Sequence, residues 1–261
     1  MKVTATTPRT LGRRLALRPA AGRNAAPVTR LATASVLAAL AVAGSAGTAA
    51  AVPTTPMPQF SWSGTASDQL MGGLDGLLLS AREVSGIAGS DSTLKESKVA
   101  QTLGNTYSVT PARCLSAYAP GQTAAYLDSA PGKVAFKAVG TPRDSDSGDR
   151  LTVHEGVVQF ASKKDALAFM TSTASAWKAC AGETVTEAEG GSWEMDSPRV
   201  NDERTVVTLG QRASTGSSTC ERGIAAYDSL LIDTMYCSPD HSATGKAAAV
   251  VEAIAQKAAA R

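Results

Sequence analysis

The chain has 261 residues, of which 43% are apolar and 18% are charged, and its formal net charge is +2 at pH 7. Seven of its 25 basic residues precede residue 52 in a stretch without acidic residues, which leaves 18 basic against 23 acidic residues, about −5, in the remainder. That remainder, about 210 residues, suits one domain, and its acidity argues against nucleic acid or an anionic membrane as a partner.

The first 51 residues have the features of an export signal. A basic stretch is followed by an apolar, Ala-rich run over residues 31–43, and Ala49–Ala51 offers the small residues that a signal peptidase needs. The apolar run is short for a membrane span, so we expect a cleaved signal peptide over residues 1–51 and a secreted protein without a membrane span. A retained anchor stays open, as does twin-arginine export through Arg13-Arg14.

Residues 52–67 are rich in Pro, Ser and Thr and predict a flexible lead-in. Residues 68–261 are predicted to form a single domain. Its first helix is expected to begin after Ser80, because Ser80 and Glu83 have the spacing of a capping box, and to end at Gly89.

The middle of the domain alternates between strand-like and helical patterns. A helical stretch over Cys114–Tyr126 is interrupted near Pro120, and two β-like segments, Val134–Val139 and Leu151–Phe160, flank a polar turn and predict a hairpin. The strongest helical pattern covers Lys163–Ala179. Apolar residues recur there at spacings of three and four and predict the buried stripe, which is Leu167, Met170, Ala174 and Trp177.

The last third of the domain adds strands and a closing helix. Three β segments are predicted over Thr184–Glu187, Ser192–Met195 and Thr205–Arg212, and an Ala-rich helix over Gly245–Ala260. Strands with hairpin spacing and flanking helices predict an α+β fold with a mainly antiparallel sheet.

The most informative stretch is residues 220–237, which predicts two eight-residue strands joined at Asp228-Ser229. In a hairpin centred there the numbers of facing residues sum to 457, so Cys220 faces Cys237. The pair lies seven steps from the turn, at a non-hydrogen-bonded position where Cα atoms are about 4.5 Å apart, within reach of a disulfide. Four cysteines allow three connectivities, and this one leaves Cys114–Cys180 as the second disulfide by elimination.

Common catalytic and cofactor motifs are missing: the sequence has no G-x-S-x-G, P-loop, G-x-G-x-x-G or C-x-x-C pattern. His154 and Glu155 begin like a zinc-protease motif, but Val158 stands where the second histidine would be. His241, the other histidine, has no partner nearby in the sequence. We therefore expect no cofactor, no metal and no catalytic residue, although a hydrolase site assembled from distant residues stays open.

A second candidate for a metal is the acidic stretch over residues 144–155. Counted from Asp144 it matches an EF-hand loop at positions 1, 3, 8 and 12, but Gly148 and Asp149 are inverted at positions 5 and 6. The flanking segments are strands rather than helices, which favours a solvated hairpin turn over a calcium site.

Two charged residues of the Cys220–Cys237 hairpin are weak candidates for ligand contacts. Arg222 and Asp233 share one face of the predicted hairpin and lie diagonally across its ladder. They can line a cleft, or they can form a structural ion pair within a half-buried sheet, which is the interpretation we favour.

Several of these stretches resemble one family. The runs Leu77–Val84, Val109–Pro120 and Ala176–Gly182, together with the disulfide-linked hairpin, resemble the extracellular sensor domains of the PknH-like family, found in mycobacterial serine/threonine kinases and in lipoprotein and secreted relatives. The resemblance covers roughly Asp68–Ala259. It implies a single α+β domain with two disulfides and a surface cleft for a small ligand, and it identifies no binding residues in this chain.

The sequence thus favours an exported, non-catalytic binding domain for an unknown small molecule or cell-envelope component. It shows no kinase domain, no lipobox and no span after the predicted signal peptide, so we expect a binder rather than a complete transmembrane sensor. Two alternatives remain: a secreted hydrolase, and a protein–protein interaction module for a membrane receptor.

Overall fold

The computed structural model describes residues 73–89, 93–142, 150–188, 190–203 and 205–261. The predicted signal peptide (1–51) and lead-in (52–67) lie outside these ranges, and so do residues 143–149, which include the first half of the calcium-loop candidate. Within the ranges, no helix combines the length and the apolar character that a membrane crossing requires.

In the described ranges, ten strands form one sheet in which the paired strands are antiparallel. In chain order they are β1 Lys95–Glu96, β2 Val109–Thr110, β3 Val134–Gly140, β4 Thr152–Gln159, β5 Thr184–Glu187, β6 Ser192–Met195, β7 Arg199–Val200, β8 Val207–Ala213, β9 Thr219–Tyr227 and β10 Leu230–Ser238. Their order across the sheet is β1-β3-β4-β10-β9-β8-β6-β5-β2, with β7 beside β8. The predicted α+β class is confirmed.

The described part of the chain also forms five α-helices and two short 3₁₀ turns, which surround the sheet. They are the turn Asp75–Leu77, α1 Ala81–Ala88, the turn Ala112–Cys114, α2 Leu115–Tyr118, α3 Thr123–Tyr126, α4 Lys163–Lys178 and α5 Lys246–Ala259. The predicted start of α1 is confirmed, because Ser80 and Glu83 form both hydrogen bonds of the capping box and Gly89 ends the helix in the left-handed conformation.

The sheet carries a hydrophobic core on each face. Because side chains alternate along a strand, Val153 and Val157 of β4 pack with α1 and α5, on what we call the α5 face. Val158, the next residue, packs on the α4 face, which α2, α3 and α4 cover. A central strand therefore has few polar positions, and the polar residues that it does bury need internal partners.

The hairpin prediction is confirmed in its register and in both disulfides. Cys220 faces Cys237 with Cα atoms 4.0 Å apart, the close spacing of a non-hydrogen-bonded pair. Asp228 has a φ of 49° in the two-residue turn, a conformation that Asp tolerates. Cys114 is bonded to Cys180, across the α4 face.

The predicted buried stripe of α4 is wrong in two of its four positions. The residues with the least exposure are Ala166, Met170, Thr173 and Trp177, whereas Leu167 and Ala174 are only half-buried. The small side chains of Ala166 and Thr173 face the sheet and allow a close approach, while Leu167 packs at the flank of the core. A count of apolar residues misses this because it scores Thr as polar.

The two disulfides should contribute unequally to stability. The Cys114–Cys180 link joins residues 66 positions apart and the Cys220–Cys237 link joins residues 17 apart. Loop closure therefore predicts a loss of about 4 kcal/mol for Cys114→Ala/Cys180→Ala and about 3 kcal/mol for Cys220→Ala/Cys237→Ala. Urea unfolding of the two double variants would measure the difference, and a larger loss for the hairpin variant would contradict the loop-length argument.

Candidate functional site

The centre of the α4 face holds a buried ion pair. Arg222 of β9 faces Met235, and Asp233 of β10 faces Ile224, so the two charged residues lie diagonally across the ladder as predicted. Arg222 Nη2 lies 2.7 Å from Asp233 Oδ1, and the two residues are 1% and 3% exposed. The pair is therefore shielded from solvent rather than displayed in a cleft.

Each partner of the pair also holds the segment that crosses the sheet above it. Arg222 donates to the carbonyl oxygens of Ser116, at 3.1 and 3.3 Å, and of Thr234, at 2.6 Å. Asp233 Oδ2 accepts from the Gly121 amide at 2.9 Å and from the Tyr126 hydroxyl at 2.8 Å. These bonds fasten α2 and α3 to the sheet.

The surroundings of the pair keep its polar groups in fixed states. Burial, together with the Asp233 carboxylate, raises the pKa of Tyr126 well above its usual value, so the phenol remains a hydrogen-bond donor. The Arg222 guanidinium lies 5.3 Å from the centre of the Trp177 ring, a cation–π contact. Both charges use their bonds internally, so this geometry favours the structural interpretation, and a role of Arg222 and Asp233 in ligand contact stays an untested prediction.

A cleft of about 590 Å³ lies at the β1 edge of the sheet. Three chain segments meet there. The first is β1 with Ser97, the second is Tyr107, which precedes β2, and the third is the end of the β3–β4 hairpin where Gly140 pairs with Thr152. Its lining residues are Lys95, Glu96, Ser97, Tyr107, Ala138, Gly140, Thr141, Pro142, Arg150, Thr152 and His154. Most of these side chains can donate or accept a hydrogen bond, which is the composition of a site for a polar ligand.

The described part of the cleft lining combines basic side chains with an engaged carboxylate. Lys95 and Arg150 bring two cations to its lining. Its carboxylate, Glu96, is engaged by the Lys137 ammonium at 2.7 Å and by the Ala81 amide at 2.7 Å, and these contacts lower its pKa. Burial and the Arg222 charge lower the pKa of His154, so its imidazole is neutral at pH 7.

An aromatic cluster continues from the cleft across the α4 face. The Tyr107 ring meets the Tyr118 ring edge-on, with centroids 5.5 Å apart, and Trp193 lies 6.4 Å beyond Tyr118. Glu187 accepts hydrogen bonds from the Tyr118 hydroxyl and from Trp193 Nε1. Burial and hydrogen bonding to Glu187 raise the pKa of Tyr118, which keeps its proton. Tyr107 is thus held rigidly where it enters the cleft.

Other depressions lie beside α4 and α5. A groove between α3 and α4 consists of adjoining cavities of about 330 and 660 Å³, which share Ala124, Ala125, Phe169 and Ser172 and are lined mainly by small side chains. A cavity of about 180 Å³ beside the start of α5 includes His241 and is also lined mainly by hydrogen-bonding side chains. The groove offers fewer such groups than the cleft at the β1 edge, and the α5 cavity has less than a third of the volume of the cleft.

Among the residues that the structure describes, neither His154 nor His241 is hydrogen-bonded to a serine or a carboxylate. No three His, Cys, Asp or Glu residues in that part of the chain are grouped as metal ligands. The geometry therefore gives no support to the hydrolase alternative.

The large apolar side chains that are exposed in the described residues are Val99, Leu127 and Val200. They lie on three separate segments of the chain rather than along one stretch.

Sequence reasoning found only part of the cleft. The predicted strand Leu151–Phe160 correctly contains His154, but His154 was weighed only as a zinc ligand and not as a residue of a ligand site. The other lining residues come from segments that the sequence predicts as loop or as strand ends, and no spacing pattern links β1, Tyr107 and Thr152. Only the pairing of β3 with β4, which was predicted, brings Ala138 beside His154.

The family model of the PknH-like extracellular domain matches residues 71–257. The chain belongs to this family. It is 25% identical over 189 residues to the serine/threonine-protein kinase PknH of Mycobacterium bovis and, likewise, to that of Mycobacterium tuberculosis. Those alignments cover 70% of this chain but only 30% and 29% of the kinases, so the chain spans about a third of the length of these relatives.

A solved structure supports the fold. The crystal structure of the extracellular domain of PknH from Mycobacterium tuberculosis matches with a TM-score of 0.65 and 22% sequence identity, over 71% of this chain and 94% of that one. The expected resemblance to PknH-like extracellular domains is thereby confirmed for the family and for the architecture.

The buried pair should cost more to break than an exposed one. Asp233→Ala leaves the Arg222 guanidinium buried without its counter-ion and should lower the free energy of unfolding by about 3–5 kcal/mol. The matched control is Glu183→Ala, which breaks the exposed Arg113–Glu183 pair and should cost less than about 1 kcal/mol. Urea unfolding of both variants measures the contrast, and similar losses would show that the Arg222–Asp233 pair stabilises little.

Proposed function

We propose that this protein is an exported ligand-binding domain without catalytic activity of its own, and that its ligand occupies the cleft lined by His154, Tyr107 and Thr152. The observation that carries the proposal is the convergence of hydrogen-bonding and basic side chains from three chain segments on one concave surface. Membership of an extracellular domain family and the signal-like first 51 residues support export.

We further propose that the ligand is anionic. The Lys95 ammonium lies in the described lining and the Glu96 carboxylate there is engaged by Lys137, which favours a negatively charged group over a cation. The hydroxyls of Tyr107 and Thr152 add groups that can orient a polar ligand. A small molecule or a cell-envelope component that carries a phosphate or a carboxylate fits this chemistry.

Non-catalytic binding is favoured over hydrolysis by the surroundings of His154. A histidine that acts as a general base lies beside a nucleophile and is oriented by a third group. The described residues give His154 no such orienting partner. Its neutral imidazole can form a hydrogen bond with a ligand.

A side chain that fills the cleft should abolish binding. We expect Thr152→Trp to occupy the cleft, whereas Ser172→Trp, the matched control, places the same ring in the groove between α3 and α4. Full-length protein and both variants would be purified from the producing cells and examined by native mass spectrometry. A small anionic adduct should accompany the wild type and the control but not Thr152→Trp.

Three outcomes of this experiment would contradict the proposal. An adduct that persists in Thr152→Trp but is lost in Ser172→Trp would move the site to the groove. A co-purifying protein in place of a small molecule would favour the interaction module. Slow turnover of the bound molecule by the wild type would favour the hydrolase.

A further inference from the structure

The α5 face of the sheet buries a carboxylate that is only half satisfied. Glu155 of β4 is 0% exposed, between the core residues Val153 and Val157. Its Oε2 accepts a hydrogen bond of 2.9 Å from the Leu79 amide, just ahead of α1. Its Oε1 has no hydrogen-bond partner, although a buried carboxylate ordinarily requires several.

The ammonium groups nearest to Glu155 pair with other acceptors. Lys137 faces Glu155 in the β3–β4 ladder, but its ammonium is 3.7 Å from Glu155 Oε1 and 2.7 Å from Glu96 Oε2. Lys257 of α5 donates to the Leu78 carbonyl at 2.8 Å and pairs with Glu83 of α1 at 3.2 Å. Glu155 thus shares one cation with another carboxylate and has none of its own.

Burying Glu155 in its ionised form therefore has a high free-energy cost. Burial raises its pKa from the ordinary value of 4.5 to about 7, against the lowering effects of the Leu79 amide, Lys137 and Lys257, and the Glu96 charge adds to the increase. The carboxyl group consequently changes its charge close to neutral pH, in a place that water does not reach.

One segment covers this carboxyl group. Residues 74–80, which we call the strap, run into α1, and Leu77, Leu78 and Leu79 are buried to within 3%. The Leu79 amide contacts Glu155 directly, and the Lys257 contact with Leu78 holds the strap to α5. Because the strap contacts Glu155 directly, opening of the strap would expose the carboxyl group to water.

We propose that Glu155 is a proton-sensitive latch: protonated, it holds the strap and the start of α1 on the sheet, and ionised, it favours opening of the strap. The inference does not depend on the proposed ligand. It does connect to the cleft, because Glu96, which competes for Lys137 and accepts from the Ala81 amide, also lines the cleft.

The direction of the pH effect follows from linkage. A carboxyl group whose pKa is raised in the closed state stabilises that state fully below pH 4.5, and this stabilisation is lost as pH rises to about 7. With those two pKa values, the opening equilibrium of the strap increases about twentyfold between pH 5.5 and pH 7.5. Above the closed-state pKa no further loss is expected.

Amide hydrogen exchange on the full chain tests the latch. Protection factors, corrected for the intrinsic effect of pH, would be measured at Leu79, Ala81 and Val84 and, as a reference, along α4. In the wild type, protection at these three amides of the strap and α1 should fall about twentyfold from pH 5.5 to pH 7.5, while protection of α4 stays constant. In Glu155→Gln, which keeps an acceptor for Leu79 but cannot ionise, the same three amides should show no such fall.

A second variant covers the case in which Glu155→Gln does not fold. Lys137→Met removes the shared cation, so the pKa of Glu155 should rise further and the fall in protection should exceed twentyfold. Three results would overturn the proposal: constant strap protection in the wild type, an equal fall in α4, or an undiminished fall in Glu155→Gln. The last would assign the effect to another group, with His154 on the opposite face as the first candidate.

Discussion

The buried contact between Arg222 and Asp233 is the constraint on which the α4 face depends. Two charges removed from water lose several kcal/mol of hydration each, and the loss is offset only if every remaining donor and acceptor is used. Here they are used on backbone groups of Ser116, Gly121 and Thr234 and on the Tyr126 hydroxyl. The hydrogen bonds that stabilise the buried pair therefore also hold in place the α2–α3 segment, which has little regular structure of its own.

That segment needs such an anchor because its helices are short. Helices α2 and α3 have four residues each, far fewer than a helix needs to be stable alone. Two further contacts assist the ion pair: the Cys114–Cys180 disulfide ties α2 to the end of α4, and the Phe136 ring fills the space above Gly156 and against Gly121, where a Cβ atom would overlap it. The same anchoring positions Tyr107 in the cleft, because the Tyr107 amide donates a hydrogen bond to the side chain of Gln122, which immediately precedes α3.

Local signals in the sequence predicted the framework. The capping box at Ser80 and the two-residue turn at Asp228 each act within a few residues, so a single stretch suffices to recognise them. The hairpin register then places Cys220 opposite Cys237, and both disulfides follow from it. The ion pair was predicted for the same reason, since Arg222 and Asp233 lie in one hairpin.

Long-range contacts could not be predicted in this way. The start of α5 is capped by Glu221 of β9, whose carboxylate accepts from the Gly245 and Ala247 amides, 24 and 26 residues away. The contact between Glu155 and Leu79 spans 76 residues. The cleft combines segments that are distant from one another in the sequence. Such sites depend on the order of strands in the sheet, β1-β3-β4-β10, which no local pattern encodes.

A double-mutant cycle between Tyr126→Phe and Asp233→Asn tests most directly whether the buried pair anchors the crossing segment. Each change alters one partner of the 2.8 Å hydrogen bond between α3 and β10 with little change in volume. If the pair holds the segment, the two losses in unfolding free energy should be coupled by about 1–3 kcal/mol. Losses that add to within about 0.5 kcal/mol would contradict it, because the segment would then be held by packing and the disulfide alone.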